Sequence, residues 1–169
     1  MKLHTRQQAP KEGEAAERSP QQAPVQKWTP ARSHYLQFLV DSRHVYRTFE
    51  ELVASEPTLA PFRSSGLERS AALDRDVAWF VAEGEVEPPV AAQGESYAAQ
   101  LRALASTGAW EAFVCHFYNF YFAHTAGGRM IGKRMADMLL DGKTLEFYQW
   151  SAGDVDKELL PALRRRIDE

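Results

Sequence analysis

Apolar residues recur along most of the chain with the three-to-four-residue spacing of an α-helix. This spacing predicts a first helix over about 33–54, with Ser33 as its N-cap and one apolar face. Pro57 and Pro61 end this helix, because proline removes a backbone donor and clashes with the preceding turn. The recurring positions of the face are Tyr35, Phe38, Ser42, Val45, Phe49 and Leu52.

The same spacing predicts further helices in the rest of the chain. A second helix over about 67–83 buries Leu73, Val77 and Phe80, and Gly84 closes it. No stretch shows convincing two-residue alternation, so the sequence predicts an all-α fold without internal repeats. Further helices are predicted over about 96–105 and 110–140, with Gly142 ending the long one, and a short piece over 145–150 leads to a last amphipathic segment over 155–167.

Residues 9–30 differ from the rest in composition. They are rich in Pro, Gln, Glu and Ala and poor in large apolar residues, which predicts an extended, mobile connector. Trp28 is its one predicted anchor onto the body, and residues 1–8 have the pattern of a helix end. The length of 169 residues suits a single domain over residues 1–169.

Composition excludes several functional classes. Lys plus Arg is 20 and Asp plus Glu is 23, so the formal charge is −3, which disfavours a nucleic-acid-binding chain. The single cysteine, Cys115, excludes an internal disulfide and a CxxC pair. The longest uncharged run, Ala112–Gly128, contains histidine and asparagine, so it predicts a core helix and no membrane span. A signal peptide pattern is missing after Met1.

A glycine pair, Gly127 and Gly128, interrupts the longest predicted helix. Each glycine inside a helix costs about 1 kcal/mol relative to alanine, so the pair needs a reason. Two explanations stay open at this point. The backbone kinks or packs closely there, as the four-residue spacing of Gly128 and Gly132 allows, or a flat ligand approaches the backbone.

Two histidines lie on this helix. His116 and His124 are eight residues apart, near one face but too far apart to clamp an ion as an i, i+4 pair would. We therefore expect no structural zinc site, and we interpret His116 as a core histidine hydrogen-bonded to a neighbour. His4, alone near the terminus, is by its surroundings an ordinary solvated histidine.

Basic residues form two clusters. Arg129, Lys133 and Arg134 follow the glycine pair, and this uneven charge favours an acidic partner near the long helix. The run 164–166 on the last helix is a solvated face, or one of its three arginines turns inward towards an anionic ligand.

The stretch His116–Gly132 closely resembles the distal helix of plant-type, ferredoxin-dependent haem oxygenases of chloroplasts. The resemblance implies an all-α, haem oxygenase-like fold in which haem lies between a proximal helix and a kinked distal helix. Further matching segments occur in the same order along nearly the whole chain, at 3–5, 27–30, 35–42, 66–69 and 145–150.

The resemblance assigns residues to the binding of haem. His4 matches the proximal histidine, the axial ligand of the haem iron, and Gln8 is placed one turn later as a partner of the other ring nitrogen. Arg164 matches an arginine that pairs with a haem propionate, for which a guanidinium is suited. Phe122 is a further expected haem contact.

The resemblance also assigns the catalytic, distal side. Gly127 and Gly128 match glycines that let the backbone lie against the haem face and leave room for O₂. His124 and Tyr118 match polar residues that support proton delivery through ordered water.

The implied activity is the cleavage of haem, both substrate and cofactor, to biliverdin, CO and ferrous iron, with O₂ and electrons from ferredoxin. Arg129, Lys133 and Arg134 are the implied ferredoxin surface. The implied location is the chloroplast stroma, with the transit peptide outside this chain, and the product would supply bilin chromophores. Relatives have helices before the proximal histidine and after the last arginine helix, so we expect a domain cut short at both ends. A non-catalytic haem- or tetrapyrrole-binding protein and a purely structural helical module remain as alternatives.

Overall fold

A central helix, α1 (Arg32–Ser55), packs against the two helices that follow it, α2 (Ser70–Ala82) and α3 (Ala92–Ser106). The computed structural model describes residues 29–168, and within that range the chain is helical without a strand. The all-α prediction is therefore confirmed for these residues. The other helices are α4 (Trp110–Ala123), α5 (Arg129–Leu139) and α6 (Leu160–Asp168).

Short turns of other helical types connect these elements. The two prolines after α1 lie in a 3₁₀ turn, Pro57–Phe62, and a second 3₁₀ turn spans Glu146–Tyr148. Wide π turns span His124–Gly128 and Val155–Leu159. The predicted long helix is thus a run from Trp110 to Leu139 that widens at the glycine pair. It ends as predicted, because Gly142, at φ +82°, donates its N–H to the Ala136 carbonyl.

Aromatic rings fill the core between α1 and α4. Phe49 is fully buried and packs edge-on against Phe113, Phe117 and Tyr121. The predicted buried stripe of α2 is confirmed, since Leu73, Val77 and Phe80 are 0–1% exposed. Among the described helices, none is both long and apolar enough to cross a membrane.

Two local predictions for α1 are wrong. Ser33 is not the N-cap: the helix begins at Arg32 after Ala31, and no side chain caps it. Its start is fixed by long-range contacts instead, since the Arg32 guanidinium donates to the Leu139 carbonyl and to Glu85. Phe38 is 48% exposed, although it was placed on the buried face.

The predicted start of α3 at residue 96 is also wrong, because the helix begins at Ala92. The Asp41 carboxylate accepts the Ala91 N–H at 2.8 Å, so a residue fifty positions away takes the place of a local cap. A Cβ at Gly94 would lie 3.2 Å from the same carboxylate, so glycine provides the room for this contact.

Candidate functional site

The glycine pair lies in the π turn that joins α4 to α5. This turn keeps right-handed backbone angles at both ends, so the helix continues and widens locally. The Thr125 hydroxyl donates to the carbonyls of Tyr121 and Phe122, and the Arg129 side chain donates to the Thr125 carbonyl at 2.7 Å. π turns inside α-helices occur frequently at functional sites.

The two glycines have different surroundings. A Cβ on Gly127 would meet nothing within 4 Å, and this residue is exposed. A Cβ on Gly128 would lie 3.0 Å from Nδ1 of His124. Gly128 therefore makes space for a side chain of the protein itself, whereas Gly127 leaves a bare backbone surface on the outside of the helix. Only Gly127 fits the close approach of an external flat group.

His124 points back into the protein from the start of the π turn. Its ring stacks on Phe147, with centroids 3.9 Å apart, and its Nε2 lies 3.0 Å from the Phe147 carbonyl oxygen. Because a carbonyl only accepts, Nε2 carries the proton. Burial lowers the pKa of His124 from 6.5 to about 4, although the Phe147 carbonyl opposes the shift; the positive charges of Arg69 and Arg129 lower it further. At neutral pH the ring is therefore neutral, with Nδ1 as an acceptor.

The burial of His124 predicts that part of the folding stability is lost at acid pH. As the pH falls below 6.5 the unfolded chain takes up a proton at His124 that the folded chain refuses until about pH 4, so stability falls across that window. The full difference is up to about 3 kcal/mol. In urea unfolding at pH 7, 6, 5 and 4, His124→Gln should lose stability less steeply than the parent. The exposed His34→Gln is the matched control, and equal slopes for His124→Gln and the parent would contradict the prediction.

A buried arginine lies behind His124, where the sequence patterns did not place a functional residue. Arg69 is 7% exposed and precedes α2. Its guanidinium donates to the carbonyls of Glu68 and Gln149 and lies 4.8 Å from the centre of the Trp150 ring. Its backbone N–H donates to the Glu50 carboxylate at 2.7 Å. From sequence alone, a charged residue at the start of a helix is expected at the surface. The burial of Arg69 is therefore visible only from its tertiary contacts.

Two tyrosines complete this buried polar cluster. Tyr46 is 1% exposed, and its ring lies edge-on to those of Tyr121, His124 and Phe147. Burial raises the pKa of Tyr46 and of Tyr121 well above the ordinary value of 10. Among the described residues, the Tyr46 hydroxyl has no hydrogen-bond partner. A buried unpaired hydroxyl at this depth fits an ordered water molecule beneath the glycine pair.

Exposed apolar side chains flank the glycine pair. Ile131 is 63% exposed and follows Gly127 by four residues, so both lie on one face of the helix. Phe38 of α1 lies 6.4 Å from Phe147, the ring that stacks on His124. Ile131 therefore adds apolar surface on the helix face that carries Gly127, and Phe38 adds exposed apolar surface beside Phe147. Such a surface fits a large, flat, apolar ligand.

A cationic group of α6 packs on α4 before the glycine pair. The Arg164 guanidinium lies 4.8 Å from the centre of the Phe122 ring, and Tyr118 stacks on that ring at 4.1 Å. A cavity of about 270 Å³ is lined by Tyr118, Arg164, Ile167 and Asp168. The structure thus brings Arg164 of α6 together with Tyr118 and Phe122, which lie nine and five residues before Gly127, whereas the rings of Tyr46 and Tyr148 lie near His124.

The other predicted residues have the following surroundings. His116 shares a hydrogen bond of 2.9 Å with the Tyr97 hydroxyl, so the predicted bond to a neighbour is confirmed, although the side chain is half-buried rather than in the core. Arg129 forms a bidentate ion pair with Asp156, whereas Lys133 and Arg134 are exposed. Within residues 29–168 no three His, Cys, Asp or Glu side chains cluster as metal ligands. His4, Gln8 and Trp28 lie outside the described residues.

Comparisons with known proteins agree on one family. The Heme oxygenase family profile matches residues 4–159. The chain is 48% identical to "Heme oxygenase 1, chloroplastic" of Oryza sativa subsp. japonica and 46% identical to the protein of that name from Arabidopsis thaliana, in both cases over 100% of this chain. It covers 57% and 59% of those proteins, so it spans about three-fifths of their length.

A third relative carries a different description. "Probable inactive heme oxygenase 2, chloroplastic" of Oryza sativa subsp. japonica is 43% identical over 79% of this chain, which covers 40% of that protein. The matches to the two proteins named heme oxygenase 1 extend over the whole chain, and this match is shorter.

Proposed function

The chain belongs to the haem oxygenase family, and on that premise we propose that its protein cleaves haem oxidatively to biliverdin, CO and ferrous iron. The observation that carries the proposal is the exposed, bare backbone at Gly127, where a side chain would meet only open space. Haem is the flat group that this surface receives. The relatives' names include the word chloroplastic, and we extend the proposal to the plastid stroma and to a supply of bilin chromophores.

The residues present fit haem. Phe38 and Ile131 supply apolar surface for the macrocycle, and Gly127 allows it to approach the helix backbone. Arg164, resting on Phe122 beside Tyr118, supplies a cation and a hydroxyl for a propionate. His4 is the proposed axial ligand of the iron, with Gln8 as its partner.

Haem iron, when bound, supplies the activation of O₂. The protein's part is to orient the macrocycle and to control protons near Gly127. His124 is neutral, with Nε2–H bonded to the Phe147 carbonyl, so Nδ1 is free to accept a hydrogen bond from water. The Tyr46 hydroxyl needs a partner of the same kind. These two groups would hold water on the distal side and so keep a source of protons near the glycine pair.

The proposal is tested by adding haemin and following the Soret band and biliverdin absorbance with ascorbate or reduced ferredoxin. Turnover should yield biliverdin, and His4→Ala should remove the histidine-ligated spectrum. A histidine-ligated spectrum without biliverdin would indicate that the protein binds haem without cleaving it. An unshifted Soret band would indicate that the protein does not bind haem and is a structural helical module.

We also propose that the electron donor, ferredoxin, docks on α5. Lys133 and Arg134 are exposed there. The ion pair with Asp156 partly neutralises the charge of Arg129, so Arg129 contributes less to the attraction of an acidic partner. An acidic partner would be attracted by this surface, and salt would weaken the attraction.

The docking surface gives a prediction in kinetics. Replacing Lys133 and Arg134 with Glu should lower ferredoxin-driven turnover at low salt, with ascorbate-driven turnover and haem affinity unchanged. Replacing Arg102 and Arg165 with Glu changes the net charge equally and serves as the control. Unchanged ferredoxin-driven rates at low salt would remove the surface from the proposal.

A further inference from the structure

The carboxylate of Asp76 is buried in α2, and in the part of the chain that the structure describes it is not in an ion pair. It is 4% exposed. Its two oxygens accept the backbone N–H groups of Glu146 and Phe147, at 2.9 and 2.7 Å. Burial raises the pKa of Asp76 above its usual value, and the two N–H groups oppose that shift. A buried carboxylate is costly, so its contacts need a reason.

Those two N–H groups belong to the 3₁₀ turn Glu146–Tyr148, and this turn holds His124 in place. Phe147 stacks on the imidazole with an angle of 19° between the rings, and its carbonyl accepts the Nε2–H. A chain of contacts thus runs from the Asp76 carboxylate through the backbone of one residue to the imidazole. Each contact joins distant parts of the sequence, since 71 positions separate Asp76 from Phe147 and 23 separate Phe147 from His124.

The turn is also held from the side of α5. A Cβ on Gly132 would overlap the ring of Tyr148, so this glycine lets the ring lie against the helix. The Tyr148 hydroxyl lies 3.2 Å from that of Tyr35. The ring contacts fix the outer end of the turn, whereas the backbone N–H of Phe147 itself is held by the Asp76 carboxylate.

We infer that Asp76 is a positioning residue for His124: it fixes the Phe147 carbonyl, which holds the imidazole in the Nε2–H tautomer with Nδ1 turned towards Gly128. Whether the orientation of His124 matters for oxygen chemistry rests on the proposed function. The orientation itself is a property of the chain and is measurable without haem.

The first experiment is ¹⁵N NMR of the histidine rings in the haem-free protein, with His124 assigned by His124→Gln. We expect His124 to show a protonated Nε2 and an unprotonated Nδ1 at pH 7, and to titrate near pH 4. The charges facing the ring are those of Arg69 and Arg129, and the neighbouring hydroxyls are those of Tyr46 and Tyr148. A protonated Nδ1 in the parent would overturn the inference at once.

The second experiment compares Asp76→Asn with Asp74→Asn, a half-exposed carboxylate on the same helix. The side-chain oxygen of asparagine can accept one of the two backbone N–H groups, but its NH₂ group, which only donates, then faces the other. We expect Asp76→Asn to populate the second tautomer and to lower the titration midpoint of His124 below about 4, because the bond to the Phe147 carbonyl raises the pKa of His124 and is weakened in the variant. Asp74→Asn should change neither. An unaltered tautomer and midpoint in folded Asp76→Asn would overturn the inference.

A third variant separates stacking from hydrogen bonding and covers the case in which Asp76→Asn does not fold. Phe147→Leu removes the ring but keeps the backbone groups that bond Asp76 and His124. We expect the Nε2–H tautomer to persist in this variant; its loss would assign the tautomer to stacking and overturn the role of Asp76.

Turnover then distinguishes the inference from the proposed function. If biliverdin forms, Asp76→Asn should lower kcat and shift its pH profile, with the KM for haem unchanged. If biliverdin does not form while the tautomer responds as expected, the proposed function fails and the positioning role stands.

Discussion

Gly127→Leu is expected to weaken haem binding severely while the haem-free chain stays folded. The bare backbone at Gly127 faces open space, so a side chain there meets only the incoming ligand. Overpacking a close contact costs about 1–3 kcal/mol, which is roughly 5- to 150-fold in Kd. Haemin titration followed at the Soret band measures the loss, and thermal unfolding of the haem-free chain verifies the fold.

Gly127→Ala tests this prediction most sharply, because it is expected to stabilise the haem-free fold and to weaken haem binding at the same time. Alanine should stabilise the haem-free helix by about 0.5–1 kcal/mol, since glycine is entropically costly inside a helix. The same methyl group should weaken haem binding. Asp137→Leu, at an exposed position of α5, is the matched control and should leave haem affinity unchanged. Full haem affinity in Gly127→Leu would show that haem does not bind against this residue.

The second large effect is expected on stability. Arg69→Met should lower the free energy of unfolding by about 2–4 kcal/mol, because buried carbonyls lose their donor. The lost contacts are those to Glu68, Gln149 and the Trp150 ring, which join the start of α2 to the segment that carries Phe147. Methionine retains much of the side-chain volume, so the change reports the polar contacts. Urea unfolding at pH 7 measures it.

Arg75→Met is the matched control for Arg69→Met. Arg75 is on α2, whose start Arg69 immediately precedes, but its side chain is 59% exposed and pairs with Glu146 at the surface. An exposed pair contributes about 0–1 kcal/mol. If the two variants had the same urea midpoint, the buried contacts of Arg69 would contribute no more to the free energy of unfolding than the exposed pair of Arg75.

The helices and the glycine pair were predictable because their signals are local. Apolar spacing places α1 and α2 to within a few residues, and Gly84 and Gly142 mark helix ends through their positive φ. The resemblance of the distal helix identified the family, which the comparisons confirm. The roles of His124, Gly127, Gly128, Tyr118, Arg164 and Phe122 remain predictions, as do those of His4 and Gln8 outside the described residues.

The buried polar cluster was not predictable, because its contacts are long-range. Arg69 reaches Gln149 across 80 positions, and Asp76 reaches Phe147 across 71. Such residues stand in helical patterns where charged residues usually face water. The missed start of α3 has the same origin, since Asp41 takes the place of its cap from another helix.

The wide turn at the glycine pair sets the rotational phase of the long helix. Phe113, Phe117, Tyr121 and Thr125 are buried at strict four-residue intervals, which turns a buried stripe by about 40° at each step. Three steps would carry the stripe about 120° around the axis, away from the core. The π turn contains Thr125, the last residue of this stripe, and beyond it Gly132 and Ala136 are buried again. Deleting one residue here would rotate everything after it by about 100°, so the segment tolerates substitutions better than a change of length.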